Sequence, residues 1–397
     1  MHKLLYNKKS GIALPLAMVT IMILLAVGTS LLTLGVNARL YSINDSHDIT
    51  ARCAADAGLT KAIYDMNAKL KNIPWDDGSL PSESNISLVG SNASYSYTVT
   101  NDGGHYVVTA TGTCGNAQTT VSCILSLDGP FDAAIFCESY VWFHNNCTID
   151  QYNTDSDTLP LKVGTNSTKH WQMCLFNDAI INGDAVVGAG GEPDYTIDNK
   201  GTITGQQYAM SSAQTLESVT VPPLIDSLPS QGTLEEGDVL VSGKYESIDL
   251  GNNKTVTIKG DVTLYVTGDI ILGNSAQIIV DGDTPGSSLT IYLGGNLVSG
   301  NSSAVNNETQ DPHNTSIYAL DSCTKINMKN DSAFYGTIYA PEAEVVYNNS
   351  AALYGSVISK SFETKNAAPM HYDASLREPA VTDPLVKFKV TNWMEIN

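Results

Sequence analysis

The sequence predicts a mainly β protein with one long N-terminal α-helix, followed by a small β meander and a right-handed parallel β-solenoid. Three observations predict this arrangement. Residues 12–36 are apolar and carry no charged side chain, residues 73–128 alternate polar and apolar strand residues, and residues 129–376 repeat short apolar strands with Gly and Asn corners. The 32 glycines and the many Asn, Ser and Thr residues are typical of a β-rich extracellular protein.

The charge balance excludes one class of partner. The chain has 21 Lys and Arg residues against 41 Asp and Glu residues, which gives a formal net charge of -20. A protein that binds nucleic acid needs a basic surface to neutralise phosphates. We therefore expect no nucleic acid partner.

The N-terminus predicts a membrane anchor. Residues 1–11 carry Lys3, Lys8 and Lys9 without an acidic residue, and the apolar stretch 12–36 follows. About 25 residues at a rise of 1.5 Å span roughly 37 Å, which is enough to cross a bilayer core of about 30 Å. A secretory signal normally has a shorter apolar stretch, of about 7 to 15 residues. By the positive-inside rule, the lysines stay cytoplasmic and everything after Val36 is exported across the membrane.

The helix is predicted to continue past the membrane, over residues 37–72. Apolar residues recur every three or four positions there and form one face of an amphipathic helix, which should end before Pro74. Ala54, Ala55 and Gly58 make part of this face smooth. The ordinary interpretation of such a face is attachment to the protein's own β domain.

Two segments of this helix resemble the type IV pilin family. Lys8-Lys9-Ser10-Gly11, followed by Ile12-Ala13-Leu14-Pro15-Leu16, resembles the leader and first turns of type IV prepilins. Ala51-Arg52-Cys53-Ala54-Ala55-Asp56-Ala57-Gly58-Leu59 resembles the "AAEAGL" stretch of PilX-type minor pilins. The resemblance covers about the first 70 residues.

This resemblance implies processing and assembly. A prepilin peptidase would cut after Gly11 and methylate the new N-terminus at Ile12. Other pilin-like subunits would pack against a helix face formed by Pro15, Leu16, Ala54, Ala55 and Gly58. Major pilins carry a glutamate at the fifth mature position, where this chain has Leu16, and the difference favours a minor or accessory subunit. An uncleaved membrane anchor of similar sequence is the alternative.

Beyond the helix, residues 73–128 predict an antiparallel meander. The alternating strands 94–100 and 105–110 flank an Asn-Asp-Gly-Gly turn, and a further strand covers 119–125. We expect this unit to cover the exported part of the helix.

The repeats of residues 129–376 predict the solenoid. Four pairs of segments share residues at offsets of 19 to 27 positions: 250–253 with 272–275, 265–274 with 292–301, 316–319 with 337–340, and 335–338 with 354–357. Such offsets match one coil of a parallel β-solenoid, and Asn residues at equivalent corners would form hydrogen-bonded ladders. An antiparallel sandwich is the rival architecture, but its strands are generally longer.

The end of this region resembles the β-helical heads of uncharacterised surface proteins that follow a PilX-type helix. The segments that carry the resemblance are 334–345, 353–358 and 371–373. Residues 377–397 are assigned to a C-terminal tail.

The sequence predicts no enzyme, cofactor or metal site. Asn153-Thr154-Asp155 matches one short motif of the polygalacturonases, but the other motifs of that family are absent. The histidines show no zinc-ligand spacing. Calcium binding by Asp155 and Asp157, or by Asp281 and Asp283, is left open, because turn chemistry explains both pairs equally well.

The seven cysteines allow two interpretations. Cys114 with Cys123, and Cys137 with Cys147, are candidate disulfides in an exported protein. Small buried hydrophobic side chains are the alternative for all of them.

Together these features predict a minor or accessory pilin-like subunit of a type IV pilus or type II secretion pseudopilus, with a structural or adhesive head at the cell surface. Its partners would be other pilin-like subunits, inner membrane lipid, prepilin peptidase, and a surface glycan or protein as ligand of the head. The alternative function is a membrane-anchored β-helix protein that binds or cleaves carbohydrate.

Overall fold

The computed structural model describes residues 13–71, 75–103, 105–144, 146–155, 158–235, 240–329, 333–348, 352–365 and 368–396. The chain divides into two compact units. The first unit consists of Met1–Ser126 and Phe388–Asn397, and the second of Leu127–Lys387.

The first unit contains one long helix and five strands. These are α1 (Ala13–Lys69), β1 (Ser82–Ser87), β2 (Ala93–Asp102), β3 (His105–Cys114), β4 (Ala117–Asp128) and β30 (Lys387–Ile396). A short 3₁₀ turn, Asp77–Ser79, lies between α1 and β1.

Besides the 3₁₀ turns Pro312–Asn314 and Ala374–Arg377, the described part of the second unit contains strands, most of them short, and two α-helical turns. These are β5 (Ile135–Cys137), β6 (Val141–Phe143), β7 (Thr148–Tyr152), β8 (Lys162–Thr165), β9 (Met173–Leu175), β10 (Ile180–Ile181), β11 (Asp184–Val187), α2 (Pro193–Thr196), β12 (Ile197–Asn199), β13 (Thr202–Ile203), β14 (Gln207–Ala209), α3 (Pro223–Asp226), β15 (Thr233–Leu234), β16 (Gly243–Tyr245), β17 (Ser247–Leu250), β18 (Thr255–Ile258), β19 (Asp261–Val266), β20 (Ile270–Leu272), β21 (Gln277–Val280), β22 (Ser288–Leu293), β23 (Leu297–Ser299), β24 (Ala304–Asn307), β25 (Thr315–Ala319), β26 (Lys325–Met328), β27 (Phe334–Tyr347), β28 (Leu353–Thr364) and β29 (Met370–Asp373).

The sheet of the first unit is a meander with one added strand. Its order is β1-β2-β3-β4-β30, and β1 to β4 pair antiparallel with their neighbours. Alternating residues of β3 are buried, as the alternating sequence pattern predicts. The meander lies against α1, whose buried residues include Ala51, Gly58 and Met66.

Residues 377–397, assigned to a C-terminal tail, include the strand β30. Strand β30 joins the edge of the first unit's sheet, where Thr391 Oγ1 donates a hydrogen bond to Ile124 O (3.1 Å). Phe388 is buried against the rings of Trp75 and Tyr106, with centroid distances of 5.8 and 5.1 Å. Burial of this aromatic side chain holds the end of the chain on the first unit.

The second unit is a mostly β domain with a parallel sheet, so the predicted combination of a long N-terminal helix and a mainly β body is confirmed. All four predicted repeat offsets are pairing registers. Leu250 pairs with Leu272, Tyr265 with Tyr292, Ser316 with Thr337 and Tyr335 with Tyr354. Aliphatic side chains at equivalent positions stack inward and form one continuous core.

The predicted asparagine ladder is also confirmed. Asn252 Oδ1 accepts a hydrogen bond from the backbone N–H of Asn274 (2.7 Å), and Asn274 Oδ1 accepts one from the N–H of Asn301 (2.9 Å). Each asparagine satisfies the backbone of the next turn of the chain. The abundance of Asn thus has a structural cause at these corners.

The spatial order of the turns differs from their order in the sequence. Strand β28 pairs with β27 on one side and with both β5 and β6 on the other, and β29 pairs with β7. The last turns of the unit therefore stack directly on the first. The connecting segment 210–232 runs beside the stack, and Tyr339 Oη donates to Glu217 O (2.8 Å) within it.

Candidate functional site

The first candidate surface is the apolar half of α1, which we define as residues 13–36. Its large side chains are exposed, including Leu16 at 63% and Leu24 at 69%. Among helices in the described part of the chain, α1 alone is long and apolar enough to cross a membrane, and none of its apolar window is buried within the protein. So large an apolar surface is compatible with insertion into lipid or burial by other helices.

The polar side chains of this half are internally satisfied. Thr20 Oγ1 donates to Leu16 O (3.0 Å), Ser30 Oγ to Ala26 O (2.8 Å) and Thr33 Oγ1 to Thr29 O (2.9 Å). In a bilayer core, an unpaired hydroxyl would be costly because no water is present. The apolar half can therefore enter lipid without leaving these three hydroxyls unbonded.

The second half of the helix, which we call the packed half (residues 51–66), lies on the sheet. A Cβ added at Gly112 of β3 would come within 2.0 Å of Ala51 O, and one added at Gly58 within 3.0 Å of Tyr95 Cδ2. The two backbones approach this closely because small residues face each other. A polar contact adds to the packing, since the buried Tyr97 hydroxyl donates to Asp65.

The predicted site residues are therefore divided. Pro15 and Leu16 lie on the exposed apolar half. Ala54, Ala55 and Gly58 are buried by the protein's own sheet, so their assignment to a face for neighbouring subunits is wrong. The predicted processing residues, Gly11 and Ile12, lie outside the described residues.

The candidate disulfide between Cys114 and Cys123 is absent. Cys114 pairs with Ala117, whereas Cys123 pairs with Val108. The two cysteines are thus six register positions apart along β3, or about 20 Å at roughly 3.3 Å per residue, whereas a disulfide needs a Cα separation of about 4.4–6.8 Å.

The candidate disulfide between Cys137 and Cys147 is absent as well. Cys137 Sγ lies 3.3 Å from Ser359 Oγ, and Cys147 Sγ donates to Ala368 O (2.8 Å). Burial raises the pKa of both thiols to about 12. All seven cysteines are free, and Cys53 alone is exposed.

The residues considered for catalysis or metal binding have structural partners. Asn153 adopts a left-handed turn conformation (φ 54°) and its Nδ2 donates to Asp373 (3.0 Å). Asp281 accepts a hydrogen bond from Thr284, which is the main reason that the pKa of this carboxyl lies below its ordinary value. Within the described ranges, no three His, Cys, Asp or Glu side chains form a group that could hold a metal ion.

A second candidate surface, which the sequence analysis missed, is formed by His170, Trp171 and Tyr195; we call it the aromatic corner. Trp171 and Tyr195 precede β9 and β12, and the N–H of Trp171 donates to Tyr195 O (3.2 Å). The His170 ring lies 4.2 Å from that of Trp171, nearly parallel, and 4.8 Å from that of Tyr195. Trp171 is 52% exposed and Tyr195 51%.

The backbone of Trp171 is strained. Its φ of 54° lies in the left-handed region, which costs an L-residue about 1–2 kcal/mol and is rare for bulky side chains. In the described part of the chain, the other non-Gly residues with positive φ are Asn, Asp, Ser and Gln residues, together with Leu385. Sequence repeats could not reveal this corner, because the residues around Trp171 and those around Tyr195 share no repeated motif, although the two lie one turn apart.

A polar network borders the neighbouring strand β6. Tyr140 Oη donates to Glu344 (2.8 Å), Lys325 donates to the same carboxylate (2.9 Å), and His144 Nε2 lies 3.1 Å from Glu363. Burial opposes ionisation of Glu344, but the hydrogen bonds from Lys325 and Tyr140 outweigh it and hold the pKa of this carboxyl below its ordinary value. These carboxylates are therefore engaged with protein groups.

Comparisons with known proteins add a family match. Residues 182–379 match a family described as a domain of unknown function (DUF7305), and no curated protein matches the chain. The matched residues lie within the second unit.

Several solved structures resemble the chain distantly. The competence-associated pilin ComZ from Thermus thermophilus is 15% identical, with 89% of this chain and 98% of that chain covered and a TM-score of 0.26. The DUF3494 domain of a Shewanella frigidimarina ice-binding protein is also 15% identical, with coverage of 61% and 94% and a TM-score of 0.30. A glycosylated ice-binding protein from an Arctic yeast is 13% identical, with coverage of 65% and 96% and a TM-score of 0.26. Similarity at this level does not establish function.

Proposed function

We propose that this protein is a membrane-inserted, pilin-like subunit of minor or accessory type, in a type IV pilus or a type II secretion pseudopilus. The observation that carries the proposal is the division of α1. Residues 13–36 are apolar and exposed, while residues 51–66 of the same helix are fixed to the protein's own sheet. The first half is thus presented to lipid or to other helices by a folded exported unit.

The proposed mechanism is mechanical. In the membrane, the apolar half contacts lipid, and during assembly those contacts are replaced by van der Waals packing against similar helices. The work of extraction comes from an assembly machine. The sheet already covers Ala54, Ala55 and Gly58. Helix contacts with other subunits would therefore be made by the apolar half, which contains Pro15 and Leu16.

We assign the second unit to a parallel β-solenoid head with a structural or adhesive role and no catalytic one. The pairing of strands at offsets of 19 to 27 residues supports the solenoid assignment. A head of this size is bulky beside a filament of packed helices, which favours a tip or sparse position. Immuno-electron microscopy would place it, and labelling evenly along filaments would contradict the tip position.

The direct test is the N-terminal peptide of the native protein, determined by mass spectrometry in cells with and without prepilin peptidase. A chain that begins at N-methylated Ile12 only when the peptidase is present is the expected result. Gly11→Val should remain uncleaved, whereas the control Gly35→Val should be processed normally, since a Cβ at Gly35 would meet nothing within 4 Å.

Two results would contradict the proposal. An intact Met1 in both strains would indicate a permanent membrane anchor. A start beyond Val36 would indicate a secreted protein that has lost the apolar half.

A further inference from the structure

We propose that the aromatic corner is a binding site for a neutral saccharide. This inference goes beyond the proposed assembly role, because it concerns a surface of the second unit that does not depend on cleavage or filament formation. It would hold equally for a permanently anchored protein.

The geometry of the corner favours a flat ligand. Trp171 and Tyr195 each lie two residues before a pair of the parallel ladder, Met173 with Ile197, so they belong to adjacent turns, which the hydrogen bond from the N–H of Trp171 to Tyr195 O (3.2 Å) joins. His170 stacks on Trp171 and contacts Tyr195, which holds both rings in place. About half of each outer ring remains open to solvent.

The strain at Trp171 indicates that its ring serves something other than folding. Leu385 also has a positive φ (63°), but its side chain packs against the core of the second unit, and that packing explains its conformation. Trp171 has no comparable burial, since half of its side chain is exposed. Asn would adopt this backbone conformation at lower cost. Strain that the core does not require is typical of a residue that contacts a ligand.

The surroundings of the rings match a saccharide. A pyranose ring presents a flat face of C–H groups and a rim of hydroxyls, so it needs aromatic faces beside hydrogen-bonding groups. Lys169 lies near Trp171 in the sequence, Glu192 and Asp194 lie near Tyr195, and all three side chains are exposed. The net charge of -20 disfavours a polyuronate or another anionic polymer. The charged surroundings also fit a protein partner poorly, because an interface of about 800 Å² per partner has a core depleted of charge.

The test uses the full-length chain in a detergent without a sugar headgroup. Isothermal titration calorimetry would measure the binding of cellotetraose, chitotetraose and tetragalacturonate. We expect saturable binding of at least one neutral tetrasaccharide, with tetragalacturonate at least tenfold weaker. Trp171→Asn and Tyr195→Ser should each weaken binding at least tenfold. Tyr208→Ser, at a tyrosine of the same unit that is 37% exposed, should leave binding unchanged.

Thermal unfolding separates binding from folding. The melting temperature of Trp171→Asn should equal or exceed that of the wild type, because Asn relieves the strain. If this melting temperature falls, the saccharide affinity of Tyr195→Ser decides whether the corner binds. Three results would overturn the inference: no saturable binding of either neutral probe, wild-type affinity in both corner variants, or equal affinity for tetragalacturonate. Mass spectrometry of the N-terminus is independent of all three, so the assembly proposal and this one fail separately.

Discussion

The two halves of α1 differ in what surrounds them, although one unbroken backbone forms both. The apolar half carries large side chains such as Leu24, which nothing in the described structure covers. The packed half carries Ala51, Ala54 and Gly58, which the sheet buries completely or nearly so. Hydrophobicity alone therefore does not indicate which part of a helix the protein buries itself.

The size of the side chains makes the distinction. A sheet can approach a helix closely only where small residues face it, as the close approach of Gly112 to Ala51 shows. Lipid has no fixed shape and accommodates branched side chains of any size. The two halves thus solve different packing problems, and substitutions should affect them differently.

The largest effect is expected from Met66→Ala. Met66 is fully buried in the packed half, so the substitution leaves a cavity and should lower the free energy of unfolding by about 2–5 kcal/mol. Chemical denaturation of the full-length chain in detergent, followed by tryptophan fluorescence, measures it. Met22→Ala is the matched control, because Met22 is 64% exposed and should have no effect on unfolding. Equal effects of the two substitutions would remove the distinction between the halves.

Leu24→Asp in the apolar half is expected to impair membrane insertion and to leave folding unchanged. An aspartate in place of leucine at the centre of a membrane helix costs about 3–4 kcal/mol of insertion free energy. The membrane-integrated fraction, measured by alkaline extraction, should fall, while folding of the β units is retained. Tyr64→Asp is the control, since Tyr64 is 68% exposed on the packed half. Normal integration of Leu24→Asp would argue against a membrane role for residues 13–36.

A smaller effect is expected from Gly112→Ala. The new Cβ would lie 2.0 Å from Ala51 O and 2.4 Å from Ala55 N, so helix and sheet must separate, at a cost of about 1–3 kcal/mol. Urea denaturation measures the loss. Gly35→Ala on the apolar half should cost nothing, because a Cβ there meets no atom within 4 Å. An unchanged midpoint for Gly112→Ala would mean that the sheet does not hold the helix closely.

The sequence predicted the elements whose signals are local or periodic. The repeat of Leu250 at Leu272 and of Tyr335 at Tyr354 predicted strand registers, because stacked turns place like residues on like residues. The end of α1 at Lys69 followed from Pro74. In each case a few neighbouring residues, or a fixed offset, carried the whole signal.

Other features depend on contacts without a periodic signal. The pairing of β28 with β5 joins Val357 to Ile135, at a separation far from any repeat offset. Likewise, β30 is held on its sheet through Phe388, whose ring contacts those of Trp75 and Tyr106. The aromatic corner depends on a backbone conformation at Trp171 that residue identity does not predict. Tertiary contacts decided all three.

The smallest effect is expected from Asp77, which lies after the end of α1 and binds two aromatic side chains of the first unit. Its Oδ1 accepts hydrogen bonds from Trp75 Nε1 and from Tyr106 Oη, both at 2.8 Å, and these bonds, with Trp75 the larger contributor, hold the pKa of Asp77 below its ordinary value of 3.8. Because the folded pKa is depressed, the carboxylate stabilises the fold above the unfolded pKa. That stabilisation is lost as the pH falls through the folded pKa.

Asp77→Asn should therefore lower the melting temperature at pH 7, by a small amount because the side chain is exposed. The difference from the wild type should shrink as both proteins are acidified through and below pH 3.8. Asp56→Asn, at an exposed carboxylate on the outer face of the packed half, is the control for loss of a negative charge and should leave the melting temperature at pH 7 unchanged. A constant difference in melting temperature between Asp77→Asn and the wild type at every pH would mean that the contribution of these hydrogen bonds does not depend on the negative charge of Asp77. In that case the junction after α1, like the packing of Met66, would owe nothing to charge.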